Sequence, residues 1–345
     1  DAGTIFSNPA GMSRLAGTQA SAGGSVIVPS AKFSDTGSTG ALLQTAGGNG
    51  GDAGGAALVP NAFMTMELDP ALHFGLGISV PFGLQTDYDP TWIGRFQAIK
   101  SKIETINLNP SLAYRVNDRL SIGAGLNYQH ISGELSSAVN YSAAIYQATS
   151  GGTVMPNLEG VSTIKGSDAA WGYNFGALFN VTPDTRLGVA YRSQMKYTLK
   201  GTIDFSDVPA LLSASPLLAN GDVILPISLP DSFSVSGFHQ MNSGWDVMAD
   251  ASWTGWSALK ELKIDRSSGA NVLTVPENWK DTWRVSAGAN YHYNEQWLAR
   301  VGVAFDQSPV PNAYRTARIP DSDRTWLSFG GQYKPSKAGR LDFAY

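Results

Sequence analysis

Apolar and polar residues alternate one for one along most of this chain. Between residues 184 and 205 one parity carries Leu187, Val189, Tyr191, Met195, Tyr197, Leu199, Ile203 and Phe205. The other carries Arg186, Arg192, Gln194, Lys196, Thr198, Lys200, Thr202 and Asp204. Successive strand residues face opposite sides, so this stretch predicts one strand of roughly 20 residues, about twice a normal globular strand. The same period recurs from Ile106 to Val116, from Trp283 to Tyr293 and from Trp297 to Phe305. Runs of this kind predict about 13 strands. Their cores lie near 18–34, 56–68, 72–86, 102–116, 119–136, 168–181, 186–205, 227–240, 245–257, 280–293, 297–306, 324–334 and 340–345.

The connections alternate in length. Asp69–Ala71, Asn117–Asp118, Thr182–Thr185, Met241–Gly244 and Asn294–Gln296 are tight turns rich in turn-forming residues. Between them lie long segments at 35–55, 87–101, 137–167, 206–226, 258–279 and 307–323. Short turns alternating with long loops are the signature of an antiparallel up-and-down transmembrane barrel; soluble sandwiches have shorter strands and no such alternation. The apolar parity is then expected to face lipid and the polar parity a lumen. Trp171, Trp245, Trp283, Tyr293 and Trp297, near strand ends, are expected in the interfacial girdles.

Composition narrows the class further. Lys and Arg number 24 against 28 Asp and Glu, a net charge of −4, and charged residues make up only 15%. An acidic balance without a basic stripe argues against a nucleic-acid partner. There is no Cys, so a disulfide framework and a thiolate metal site are excluded. No metal and no cofactor are expected. No run of 18 apolar residues occurs, which excludes a helical span. The chain opens on Asp1, as a mature form or fragment would.

On these strands, particular strings become legible. They are Asn8-Pro9-Ala10-Gly11-Met12, Pro81-Phe82-Gly83-Leu84, Ile106 to Tyr114, Tyr191-Arg192-Ser193, Trp253 to Ser257, Trp279 to Arg284, Phe305 to Pro311 and Ile319 to Trp326. In that order they resemble the FadL/TodX family of outer-membrane transporters for long-chain fatty acids and other hydrophobic compounds. The resemblance implies a 14-stranded barrel with an N-terminal hatch in its lumen. Residues 1–17 would be the C-terminal part of the hatch and 18–345 the barrel. The chain ends within the thirteenth strand, and an open edge cannot face lipid, so the expectation is a portion of a longer closed barrel. Localisation would be the outer membrane of a Gram-negative bacterium, and the protein a monomer in contact with outer-membrane lipid and with detergent or lipopolysaccharide.

Several residues are singled out for binding. Loop 206–226 carries Leu211, Leu212, Leu217 and Leu218, unusually apolar for an exposed loop. The corresponding family loops capture ligand first; the alternative is a loop cap packed on itself. Loop 137–167 adds Ile145, Tyr146, Val154, Met155 and Leu158. Lys280 and Arg284 share a parity expected to face inward, where a cation beside apolar walls can pair with a carboxylate. The family supports a pocket lysine at Lys280, whereas its second basic position falls near Ser137. Leu135 joins this ligand-binding set. Pro81, Phe82 and Gly83 are expected to break strand three, since Pro donates no ladder hydrogen bond and Gly weakens a strand. In the family such a kink opens the wall sideways. Asn8, Pro9 and Ala10 would belong to the hatch. The alternatives are an aromatic hydrocarbon channel of the same family and a general diffusion porin with charge rings. An enzyme is not expected, because four scattered His and no Gly-x-Ser-x-Gly or His-Glu-x-x-His motif give no catalytic centre.

Overall fold

The computed structural model describes residues 1–336 and 338–345. It opens with a short helix α1 (Thr4–Ser7) and a 3-10 turn (Pro9–Arg14). These are followed by β1 (Thr18–Ile27), β2 (Ala57–Glu67), β3 (Leu72–Ser79), β4 (Gly83–Asp87), β5 (Lys100–Arg115), β6 (Leu120–Asn140), helix α2 (Tyr141–Ala148) and β7 (Glu159–Asn180). Next come β8 (Thr185–Arg192), β9 (Met195–Phe205), β10 (Gly221–Leu229), β11 (Ser232–Gln240), β12 (Trp245–Thr254), β13 (Glu261–Arg266) and β14 (Asn271–Pro276). The chain finishes with β15 (Thr282–His292), β16 (Trp297–Asp306), β17 (Arg324–Tyr333) and β18 (Leu341–Ala344).

The described residues place all 18 strands in one sheet. Five staves are each broken in two (β3 with β4, β8 with β9, β10 with β11, β12 with β13, β14 with β15), so the strands make thirteen staves, as the alternation predicts. The long strands exceed expectation. β7 starts at Glu159 and pairs with β6 as far as Asn140↔Glu159. Segment 258–279, expected as a loop, carries the hairpin β13–β14. Hydrogen bonding between strands is the cheapest way to satisfy backbone groups that rise well above a membrane.

The lipid-facing parity is confirmed over the lower wall. Ile106, Leu108, Leu112, Ile122, Leu126, Phe175 and Val301 are exposed, while Asn107, Asn109, Asn127 and Asn174 between them are buried. On β6 the outward apolar run extends from Leu120 to Tyr128. The ten residues to His130, at ~3.3 Å each and tilted ~40°, match the ~25 Å apolar band of outer-membrane barrels. The five predicted girdle aromatics are all exposed, and Trp245–Tyr291, Trp297–Tyr333 and Tyr128–Trp171 pack as ring pairs.

The upper half departs from the expected parity. Leu187 and Val189 face out, but Met195, Tyr197, Leu199 and Ile203 are buried inside and Lys196 and Lys200 face out. The cause is one extra residue. Eight positions separate Arg192 from Lys200, while seven separate their partners on β7, Asn174 and Ser167. A single insertion bulges a strand and exchanges its faces. Stave three does the same: four positions separate Ser79 from Gly83, against three between Asn107 and Glu104 on β5.

Candidate functional site

The interior is layered, and β6 reads the layers in order. Its inward residues run Gly123, Asn127, Gln129, Ile131, Leu135 from the short-turn end upward.

The lowest layer is the N-terminal segment, residues 1–17. Asn8 caps the 3-10 turn, its Oδ1 accepting from the Ala10 amide at 3.1 Å. Its Nδ2 donates to the carbonyls of Ala177 and Val189, both at 3.1 Å, which are ladder partners on β7 and β8. Ser13 Oγ contacts Ser121 Oγ at 2.8 Å, and Arg115 donates to the Ser13 carbonyl. Pro9 and Ala10 are buried. Asn8, Pro9 and Ala10 therefore sit together across the lumen. The wall yields space for them at glycines: a Cβ on Gly123 would stand 2.4 Å from the Ala10 nitrogen, and one on Gly176 2.1 Å from Asn8 Oδ1. Gly123→Val should therefore lift the segment at Pro9–Ala10 off the wall. Permeation of a small polar antibiotic through the outer membrane should then rise; unchanged permeation with a folded barrel would mean the segment does not seal.

Above this segment lies a layer of amides. Asn107 and Arg192 donate to Asn127 Oδ1, and Asn109 and Asn127 donate to Asn174 Oδ1 at 3.0 and 2.9 Å. Asn107, Asn109, Ser111, Gln129 and Asn174 each keep a buried polar atom with no partner among the described residues.

Above that the interior turns apolar. Ile131, Met195, Tyr197, Leu199, Ile227 and Leu229 pack with Leu259, Leu262, Trp279, Val310 and Ile319. The kink of stave three enters this core. Phe82 packs edge-on to Trp256 at 5.8 Å, and Trp256 to Trp279 at 5.0 Å. Thr105, fully buried on β5, holds the kink in place. Its Oγ1 accepts from the Phe82 amide at 3.0 Å and donates to the Phe82 carbonyl at 2.8 Å, and its own amide donates to that carbonyl at 3.1 Å. Pro81 falls in the break between β3 and β4. Gly83 is less special than expected: its φ is ordinary, and a Cβ there would meet nothing nearer than 3.9 Å. The kink leaves a gap in the wall. β2 pairs with β3 only from Ala62 to Glu67, and β4 pairs with β5 alone, so residues 57–61 of β2 and the facing edge of β4 have no ladder between them.

The predicted cations lie elsewhere. Lys280 is exposed, contrary to the expected inward parity. After β14 ends at Pro276 the chain leaves the ladder, and Glu277 and Trp279 take the inward positions instead. Arg284 lines a separate lumenal cavity of about 750 Å³ with Arg186, Asp250, Arg300 and Asp306, outside the apolar core. The buried cation beside the core is Arg318, 6% exposed, which donates to Ser101 Oγ at 3.3 Å and the Ser136 carbonyl at 3.4 Å. Glu277, 1% exposed, accepts from Trp279 Nε1 at 2.9 Å and keeps Oε1 free of partners among the described residues. Burial pushes the Glu277 carboxyl up, partly opposed by Trp279 and Arg318; burial lowers Arg318, partly opposed by Glu277. Sequence periodicity does not single out Arg318, because it lies in an irregular segment just before the Ile319–Trp326 string.

The loop leucines divide. Leu212 and Leu218 pack on Tyr141 and Ile145 of α2, as a loop cap would. Leu211 and Leu217 are 66% and 72% exposed, and Val154 and Met155 on the neighbouring loop are exposed at 60% and 38%. Leu135 packs with Ile203, Val223 and Ile264 at the top of the barrel.

A membrane-spanning antiparallel barrel with a blocked lumen, an apolar upper interior and a lateral gap is a transport barrel of the bacterial outer membrane, not an enzyme. The chain belongs to the outer membrane protein transport family (OMPP1/FadL/TodX), which it matches over residues 1–345. It is 29% identical to the long-chain fatty acid transport protein of Escherichia coli K12, over 99% of this chain and 80% of that protein. It is 30% identical to outer membrane protein P1 of Haemophilus influenzae, over 100% and 80%. The crystal structure of a Pseudomonas aeruginosa FadL homologue superposes with a TM-score of 0.85 at 29% identity, covering 100% of this chain and 84% of that one. The Ralstonia pickettii toluene transporter TbuX shares the fold, with a TM-score of 0.74 at 24% identity, covering 100% and 87%.

Proposed function

We propose that this protein takes up long-chain fatty acids or similar hydrophobic molecules by loop capture, passage through the apolar upper interior, and lateral exit between β2 and β4. The carrying observation is the placement of Phe82, which joins the wall gap directly to the apolar core. Names of relatives support the cargo class: one is a fatty acid transporter and others are toluene transporters. The layer below disfavours straight passage. An apolar molecule entering the Asn107–Asn127–Asn174 level would strip hydrogen-bonding groups of water at a cost of ~1–3 kcal/mol each. The apolar side chains above close on one another, so cargo must part Phe82 from Trp256.

Exposed Leu211, Leu217, Val154 and Met155 supply the capture surface in this reading, while Leu212 and Leu218 hold the loop together. Arg318, not Lys280, is the cation placed to meet a carboxylate. A porin reading would have solutes cross through the charged cavity at Arg284, and sugar-driven liposome swelling separates the two. Topology is tested directly. Ser215→Cys should react with an impermeant maleimide on whole cells and Asn117→Cys should not; the reverse result would invert the barrel.

A further inference from the structure

The bulge at Ser193 that turns the apolar side of β9 inward also turns its lysines outward, and they gather. Outward residues of β5, β6, β7 and β9 align across the ladders as Lys102–Glu134–Lys165–Thr202 and, one step lower, Glu104–Ser132–Ser167–Lys200. Gly133, Gly166 and Gly201 floor a cleft of about 450 Å³ between these rows. Its walls are lysines, glutamates and hydroxyls, with no apolar side chain.

The charge in this cleft is positive although the whole chain carries −4. Lys102 is paired with Glu104 at 2.7 Å, and Glu134 lies between Lys100 at 3.2 Å and Lys165 at 4.0 Å. Lys200 and Lys196 are exposed and form no ion pair among the described residues. The cleft lining itself therefore carries three lysines against two glutamates, while Asp87 opposite Lys100 and Asp204 and Asp222 beside Thr202 lie at its borders.

Height on the wall identifies the partner. The Tyr128–Trp171 ring pair marks the upper edge of the apolar band, and Ser132 and Ser167 lie four residues above it on the same outward faces. Four residues of strand tilted ~40° rise about 10 Å, which is headgroup depth. A ligand filling the cleft would have anionic, hydroxyl-rich groups there and acyl chains against Ile106, Leu126, Tyr128 and Trp171 below. In the outer leaflet of this membrane that description fits a phosphorylated glycolipid. We infer that the Lys102–Lys165–Lys200 cleft is a docking site for the phosphorylated headgroup of lipopolysaccharide, and so holds the barrel in the outer leaflet. Ammonium–phosphate contacts supply the attraction, and the Ser and Thr hydroxyls meet the sugar.

The inference rests on the outer-membrane location and not on the transport route. The test uses the folded protein in detergent and bis-phosphorylated hexa-acyl lipid A, with binding followed by native mass spectrometry. The triple variant Lys102→Gln/Lys165→Gln/Lys200→Gln should bind about tenfold more weakly, the loss expected when charge-assisted contacts are removed. Both proteins should bind dephosphorylated lipid A equally. A variant losing the same charge elsewhere, Lys32→Gln/Lys263→Gln/Lys334→Gln, should bind as the wild type does. Equal losses in the two triple variants would reduce the effect to net charge and overturn the site. Pyrophosphate binding as tightly as lipid A would make it a soluble-anion site and also overturn it. The heat-modifiable migration of the barrel reports folding, and Lys200→Gln alone gives a smaller loss in the same direction should the triple variant fold poorly. Cargo uptake by the cleft variants stays at the wild-type level, so failure here leaves the transport reading standing and failure of transport leaves this one.

Discussion

Replacing Pro81 with Val and Thr105 with Val together lowers uptake of labelled oleate by about tenfold or more, the factor that ~1.4 kcal/mol of added barrier produces. The barrel remains folded in the outer membrane. Pro81 denies stave three a backbone donor at its break, and Thr105 stands in for the missing ladder by meeting both backbone groups of Phe82. With a donor restored and the hydroxyl gone, the extra residue is held as an ordinary bulge and the backbone groups on either side of it pair in the ladder, because unpaired groups in a barrel wall are costly. A stave three with a bulge in place of the kink would set β4 against residues 57–61 of β2 and draw Phe82 away from Trp256. Loop binding survives, since neither residue contributes to Leu211 or Leu217. Normal uptake by a folded double variant would send the cargo through the lumen and require the segment at Asn8–Ala10 to move.

Arg318→Met weakens binding of oleate by about 10- to 100-fold, the range spanned by a hydrogen bond to a charged group of roughly 1.5–3 kcal/mol. Lys280→Ala changes it less than about twofold, as an exposed cation in high dielectric should. Binding of a neutral arene is unchanged in both. Removing Arg318 leaves Glu277 buried without its counter-charge, but burial already favours the protonated carboxyl, so the side chain stays neutral more readily. The double variant Arg318→Met/Glu277→Gln removes that concern and should keep the same selectivity. Equal losses for oleate and arene in isothermal titration would make Arg318 a structural residue. They would leave the protein indifferent to carboxylates, as an aromatic hydrocarbon channel of this family would be.

The lower barrel was legible in the sequence because it obeys one local rule. Below the breaks each strand alternates lipid-facing and lumenal residues, so Ile106 against Asn107, or Val301 against Arg300, declares its face without reference to any other strand. Tight turns at Asn117 and Asn294 and the girdle aromatics follow from the same local chemistry. The Asn8-Pro9-Ala10 string stands out in the sequence as a cap and turn, but only the folded chain shows Asn8 bridging the Ala177–Val189 pair.

What the tertiary structure decided lies above the breaks. One extra residue at Ser193 and another near Pro81 exchange inside and outside, and no period-2 count reveals an insertion whose alternation resumes unbroken on either side. Leu199 and Lys200 keep their order in the chain while trading environments. That exchange builds the apolar interior and, on the opposite face, the lysine cleft. Lys280 departs from its sequence parity for a related reason: parity propagates only along a continuous ladder, and the chain leaves the ladder at residues 277–281. Arg318 and Thr105 act through partners 182 and 23 positions away. Contacts of that separation are fixed by closure of the barrel and the docking of segment 307–323 into it, which local sequence does not encode.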